Sequence, residues 1–354
     1  MESLTANTIR DSYLDNVKGF LIILVVIGHI VQTMYNNFAI GQQIYMFLSI
    51  FHMPMFAIIS GYISKLESGI GSMEKQFQRI LIPFLIFQTL LITINYLYDP
   101  NPITIKSFLA EALSPQFALW YLFCLFCWRL TLPYFMKMPN PVSVSLAIGL
   151  LGGFLPKYGD LFSCSRMLGF FPYFILGYCL KTNSLFLNTF IKARSNKKLL
   201  AISISISILF FAVICSVLFN GKYQSIYWYD KLYVNADIPY LYSVIIRFIS
   251  YFTAIVTGFS FIYLIPKTRS IITAIGQKSL YVYLLHSAIL YVFVCNHALN
   301  KVTDIYVFIA ISLLGVPLSA LLATKSVATA TGILVEPVPI FSLLIRDARL
   351  SGMR

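Results

Sequence analysis

Two histidines define the chemistry this chain could do. His29 lies in L-D-N-V-K-G-F-L-I-I-L-V-V-I-G-H-I-V-Q (Leu14 to Gln32), and His52 lies in I-Y-M-F-L-S-I-F-H-M-P-M-F-A-I-I-S-G-Y-I-S (Ile44 to Ser64). Both runs are long and apolar enough to span a bilayer. A titratable side chain at such depth is costly and marks a functional site unless it serves only helix–helix hydrogen bonding. Neutral imidazole carries one lone pair and has an unperturbed pKa close to neutrality. It can take the proton of a sugar hydroxyl as that oxygen attacks a thioester, or it can carry the acyl group itself. No G-x-S-x-G elbow supplies a rival serine nucleophile, and no H-E-x-x-H or similar cluster supplies a metal site. Ser60 is the only hydroxyl of note nearby and fits helix packing.

Helices must position these groups. Asp15 and Lys18 are three residues apart and share a helix face. His29 lies eleven residues beyond Lys18, roughly 17 Å deeper and slightly past the bilayer midplane. His52, on the next helix running the other way, is about eight residues or roughly 12 Å from the outer surface. The short connection N-N-F-A-I-G-Q-Q makes the two helices neighbours, so the histidines converge near one depth. Pro54 loosens the second helix beside His52, where a water-filled pocket could open.

The chain has 354 residues, 58% hydrophobic and 11% charged. Soluble domains carry about 25% charged residues, so this composition excludes an ordinary soluble enzyme. Hydropathy predicts an all-α polytopic membrane protein of about ten spans, near 17–36, 44–64, 80–98, 117–136, 142–156, 167–181, 199–219, 242–264, 279–297 and 304–324. With the N-terminus inside, roughly 18 of the 26 basic residues fall on inner segments, the strongest anchor being Lys192–Lys198. Both termini are therefore expected in the cytoplasm. The net charge of +13 is a topology signal that also attracts anionic inner-leaflet lipid, and not a sign of nucleic-acid binding. The expected organisation is a cytoplasmic segment 1–16, a membrane domain 17–324 and a cytoplasmic tail 325–354, with an interfacial helix near Ile340–Ile345. Residues 1–13 are polar and mixed in charge, and the first apolar run continues to spanning length with no small-residue cleavage pattern, so these residues are not expected to form a signal peptide. Cys124 and Cys127 read as core thiols rather than a redox or zinc pair. Gly149 and Gly153 read as a helix-packing face. The aromatics of the loop 220–241 fit an interfacial belt or sugar stacking.

Several stretches together resemble the membrane-bound acyltransferase-3 family, especially its fucose 4-O-acetylase-like branch. They are Asp15 to His29, then F-H-M-P-M-F-A-I-I-S-G-Y (Phe51 to Tyr62), Q-R-I-L-I-P-F (Gln78 to Phe84), L-W-Y-L (Leu119 to Leu122, containing Trp120), R-M-L-G-F-F-P-Y-F-I-L-G-Y (Arg166 to Tyr178) and G-Q-K-S-L-Y-V-Y-L-L-H (Gly276 to His286). The resemblance implies a plasma-membrane O-acetyltransferase that uses cytoplasmic acetyl-CoA as donor substrate, with no bound cofactor. Its acceptor would be a cell-surface polysaccharide or a lipid-linked precursor. The family's R-x10-H pattern falls on Lys18 and His29, with Lys where the family has Arg, which keeps the charge and loses bidentate geometry. His29 inherits the catalytic role. The family's R-x-x-R falls on Gln76 and Arg79, so Arg79 inherits a donor-side role and Lys75 stands in for the missing arginine. Trp120, Arg166 and His286 are further candidates; His286, about 10 Å from the inner face, would read as structural on its own residues.

The mechanism expected combines these. Arg79, Lys75 and Lys18 guide the donor, Asp15 orients or charge-balances Lys18, His29 is base or acyl carrier, and the acceptor approaches near His52. A glycan or small-solute transporter is the alternative. It predicts paired broken helices and an internal inverted repeat, which the sequence does not display.

Overall fold

A computed structural model describes residues 12–98, 104–155, 162–183, 196, 198–199, 202–206, 209, 224–229, 233 and 238–337. Among the described residues the structure is helical and has no strand. The described α-helices of seven residues or more are α1 Ser12–Met34, α2 Ala39–Ile63, α3 Ile70–Gln76, α4 Ile82–Tyr98, α5 Ile105–Ala112, α6 Trp120–Phe135, α7 Pro141–Leu151, α8 Cys164–Thr182, α9 Tyr240–Leu264, α10 Ile271–Gln277, α11 Ser279–Cys295, α12 Ile305–Leu313, α13 Gly315–Leu322 and α14 Lys325–Val335. A π-helical turn, Phe77–Leu81, joins α3 to α4.

Among the described residues, five helical stretches are long and apolar enough to cross a bilayer: Ser12–Asn37, Ala39–Ile63, Ile70–Tyr98, Tyr240–Leu264 and Ile305–Leu322. The pair α10 and α11, bent by 79°, makes a sixth if taken as one span. The distribution of side chains on α9 is inside-out relative to a soluble helix. Leu241, Ile245, Phe248 and Phe252 are exposed, whereas Ser243, Arg247, Ser250 and Thr257 are buried. An apolar outer face over a polar interior is the arrangement a lipid solvent selects. The chain is a multi-pass membrane protein. The expected span 199–219 and the tail helix near Ile340–Ile345 lie largely or wholly outside the described residues.

The first helix includes Ser12 to Asn16, upstream of the apolar run, and these polar turns are packed against α9 and the segment after it. The Asn16 amide donates to Pro266 O at 2.8 Å and Thr268 O at 2.9 Å, and its Oδ1 accepts from the Thr273 hydroxyl. Tyr13 donates to Ile262 O at 2.8 Å. Satisfying these buried groups internally lets polar residues sit inside a membrane helix.

Glycines set two close helix contacts. A Cβ at Gly19 would meet Ile272 O, and one at Gly276 would meet Asp15 O, so α1 and α10 touch backbone to backbone. Gly61 lies against Phe174 O, and Gly177 against Ile58 O, doing the same for α2 and α8. Small residues at such crossings allow close packing in lipid. Gly149 also faces a packed neighbour, Pro172 of α8 and Tyr251 of α9. These contacts fix α1 and α2, which carry His29 and His52.

Candidate active site

His29 and His52 line one small cavity of about 80 Å³, together with Ser49, Trp120, Arg166 and Trp228. The short link Tyr35–Phe38 turns α1 back into α2 and brings the two rings to this common wall. The Arg166 guanidinium lies over the Trp120 ring, 5.3 Å from its centroid. The Phe117 ring packs 4.5 Å from His29, centroid to centroid.

A third histidine stands behind the first. The His286 ring is 5.5 Å from the His29 ring, and His286 is fully buried. Its Nδ1 bonds to Val282 O at 2.8 Å, so that nitrogen carries the hydrogen, and its buried Nε2 has no hydrogen-bond partner. His52 Nδ1 likewise donates to Leu48 O. His29 Nδ1 faces Gln32 Oε1 at 3.0 Å. A backbone carbonyl oxygen can only accept, so in His52 and His286 the hydrogen belongs on Nδ1 and the lone pair on Nε2; a Gln32 amide oxygen accepting from His29 Nδ1 gives that ring the same tautomer. This is the tautomer a general base or acyl carrier needs.

A larger chamber of about 650 Å³ opens beside this cavity, toward the Lys18 end of α1. The two share Val25, Met53 and Tyr283 as walls. Most of the chamber is apolar, but Lys18, Arg79, Arg129, Ser60, Tyr121 and Glu336 project onto it. Lys18 Nζ pairs with Asp15 at 2.7 Å. Ser60 and Tyr121 share a hydrogen bond of 2.8 Å. Glu336 accepts from the Tyr281 hydroxyl at 2.9 Å. A third, polar hollow of about 330 Å³ lies outside the chamber and is lined by Lys65, Glu67, Lys75, Gln76, Arg79 and Arg129. Arg79 and Arg129 border both. The three spaces form a series from a charged mouth, through an apolar chamber, to a histidine-lined end.

Every candidate residue read from the sequence falls on or beside this series. Lys75 and Arg79 are at the mouth, Asp15 and Lys18 at the chamber, and His29, His52, Trp120 and Arg166 at the inner cavity, with His286 against His29. Lys75 is exposed and paired with Glu67 at 3.8 Å. Sequence reasoning missed Arg129, Tyr283 and Glu336 as lining groups and assigned Ser60 to packing alone. A charge inside the apolar helix α6 was the signal for Arg129; Glu336 carried none. Cys124 is a buried free thiol and Cys127 a half-buried one, in the N-terminal half of α6. Among the described residues no three His, Cys, Asp or Glu side chains converge as metal ligands would.

A multi-pass helical membrane protein with a histidine-ended passage is the class defined so far. Residues 11–324 match the Acyl_transf_3 family, described as an acyltransferase domain; the chain belongs to this acyltransferase family. It is similar to nodulation protein NolL of Sinorhizobium fredii, 47% identical over 62 residues, 16% of each chain. It is similar as well to nodulation protein NolL of Mesorhizobium japonicum, 36% identical over 100 residues, 24% of this chain and 25% of that one. Both matches thus cover a quarter or less of these relatives. No solved structure matches the chain.

Proposed function

We propose that this membrane acyltransferase is an O-acetyltransferase of the plasma membrane, moving acetyl from cytoplasmic acetyl-CoA to a hydroxyl of a cell-surface polysaccharide or its lipid-linked precursor. The observation that carries this reading is the passage itself: cations at one end, an apolar chamber, and the His29 imidazole at the other. An anionic, chain-like thioester fits such a series better than a compact solute does. The proposed arrangement has ten spans with both termini inside, supported by the excess of Lys and Arg on the segments assigned to the cytoplasm.

In this mechanism the acceptor hydroxyl enters the small cavity and gives its proton to His29 Nε2 as its oxygen attacks the thioester carbonyl carbon. The C–O bond forms, a tetrahedral oxyanion develops, and the C–S bond then breaks. The departing thiolate takes that proton back from His29 Nε2, leaving coenzyme A thiol and neutral imidazole. Arg166 faces the cavity and can stabilise the oxyanion. The buried His286 ring, 5.5 Å from that of His29, packs behind it and holds its orientation. His29 can equally carry the acetyl group for part of the cycle, which would link a donor inside to a glycan outside. Asp15 holds Lys18 beside the chamber, Lys75 and Arg79 receive the donor, and His52 and Trp120 shape the acceptor end. Family membership speaks against the transporter alternative.

The test is transfer of labelled acetyl from acetyl-CoA to the cell-surface glycan in membranes carrying the wild type or His29→Ala. Loss of transfer in the variant is expected; transfer at the wild-type rate would overturn the mechanism. Comparing the mass and NMR spectra of the glycan with and without the gene then identifies the hydroxyl.

A further inference from the structure

Two arginines meet where the charged mouth opens into the apolar chamber. Arg79 comes from the π-helical turn Phe77–Leu81, and Arg129 from the middle of α6. Each lines both spaces. The π-turn offsets Arg79 from the regular helical register, a distortion frequent at functional sites. Arg129 donates from a terminal nitrogen to Gln76 Oε1 at 3.3 Å, and its Nε is buried with no hydrogen-bond partner.

Of the neighbouring lysines, Lys18 is paired with Asp15 at 2.7 Å, and exposed Lys75 is held only loosely by Glu67 at 3.8 Å. Among the described residues no carboxylate pairs with either arginine. Two unneutralised guanidiniums around one opening repel each other, and more strongly where the surroundings are apolar than in water. A buried, unpaired donor such as the Arg129 Nε costs further stability. Both costs are relieved by a ligand with more than one negative charge and several acceptor oxygens. A phosphate or pyrophosphate meets that description, and the planar guanidinium fork matches its oxygens.

We propose that Arg129 and Arg79 together clamp the pyrophosphate of the donor coenzyme A, an inference that rests on the acetyl-CoA reading above. Arg129 thereby supplies, from a different helix, the second cation that Gln76 cannot. Gln76 holds the Arg129 fork in place from the mouth side. The adenosine end then lies in the outer hollow, and the pantetheine arm runs through the apolar chamber toward Val25 and Met53. Lys18 and His29, on the wall of this path, are about 17 Å apart along α1. An extended arm is suited to that span. The same two arginines could instead hold the phosphate of an anionic phospholipid, so the test separates the sources.

The protein in phosphatidylcholine nanodiscs, with and without phosphatidylglycerol, is compared with Arg129→Gln and Arg129→Lys. Two things are measured for each: binding of coenzyme A and of pantetheine, and kcat/KM for acetyl-CoA and for acetyl-pantetheine, which has no pyrophosphate. Arg129→Gln is expected to lower the preference for acetyl-CoA over acetyl-pantetheine at least tenfold, chiefly through KM, and Arg129→Lys to restore part of it. Because the readout is a ratio within one variant, partial misfolding does not imitate it. An unchanged ratio overturns the clamp. Dependence of Arg129 effects on phosphatidylglycerol, with the ratio unchanged, assigns the pair to a lipid headgroup and overturns it too. Arg129-dependent binding of coenzyme A without any acetyl transfer by the wild type would keep the clamp and remove the proposed reaction.

Discussion

The chamber at the Lys18 end and the histidine cavity beyond it differ in size and in wall chemistry. The first measures about 650 Å³ and has cations only at its rim; the second measures about 80 Å³ and is walled by aromatic and imidazole rings with one guanidinium. A wide apolar space can hold a long flexible ligand through many weak contacts, none of them decisive. A space of a few atoms' size can act only on what is reacting. Binding and chemistry are thus separated along one passage. Substitutions at the wide end should appear mainly in KM, and those at the narrow end mainly in kcat.

The sharpest way to break this division is His29→Ala. We expect kcat for acetyl transfer to fall about 10²–10⁴-fold, the usual worth of a positioned general base, with KM for acetyl-CoA nearly unchanged. A variant whose KM rose instead, with kcat preserved, would place His29 on the binding side and erase the distinction. Arg166→Ala follows. It faces the same small cavity, and loss of an oxyanion donor costs about 10²–10³-fold in kcat. Arg166→Lys should recover little, because the guanidinium is stacked on Trp120 and a lysine cannot reproduce that planar contact. Steady-state kinetics with labelled acetyl-CoA measures both.

The narrow end was more legible in the sequence than the wide end. His29 and His52 stood out because imidazoles interrupt apolar runs, and the short loop between their helices left little freedom over which elements met. The approach of His286 to His29 joins α11 to α1 across most of the chain, and no local pattern records such a distance. Arg129 was visible as a charge in a spanning helix, but what it faced depended on how α6 packs beside the π-turn. Glu336 lay in a stretch read as tail, and only the packing of α14 against α11 and α4 brings that carboxylate to the chamber. The first helix took in the polar residues Ser12–Asn16 because they found buried partners. Apolar periodicity located the helices; hydrogen bonds and glycine contacts decided how they were arranged.

At the wide end the comparison is sharpened by the pair Asp15 and Lys18. Asp15 is buried, and its ion pair with Lys18 is short. Breaking a buried pair is costly because it strands the remaining charge. Asp15→Asn and Lys18→Met should each raise KM for acetyl-CoA by about tenfold. The double variant should cost no more than the worse single one, because the two side chains act as a unit. Additive losses would mean that they serve separate steps.

The smallest effect belongs to Lys75. It is exposed, its partner Glu67 is exposed, and their separation of 3.8 Å is at the edge of an ion pair. Exposed pairs are worth about 0–1 kcal/mol and are screened by salt. Lys75→Ala should therefore raise KM by no more than about threefold at low ionic strength. That effect should vanish at high salt, if Lys75 only draws the anionic donor toward the mouth. Arg129→Gln should keep its effect at high salt, because its buried Nε is shielded from the electrolyte. A salt titration of KM for the two variants tests whether the mouth steers the donor while the arginine clamp holds it. Equal salt sensitivity would merge the two roles.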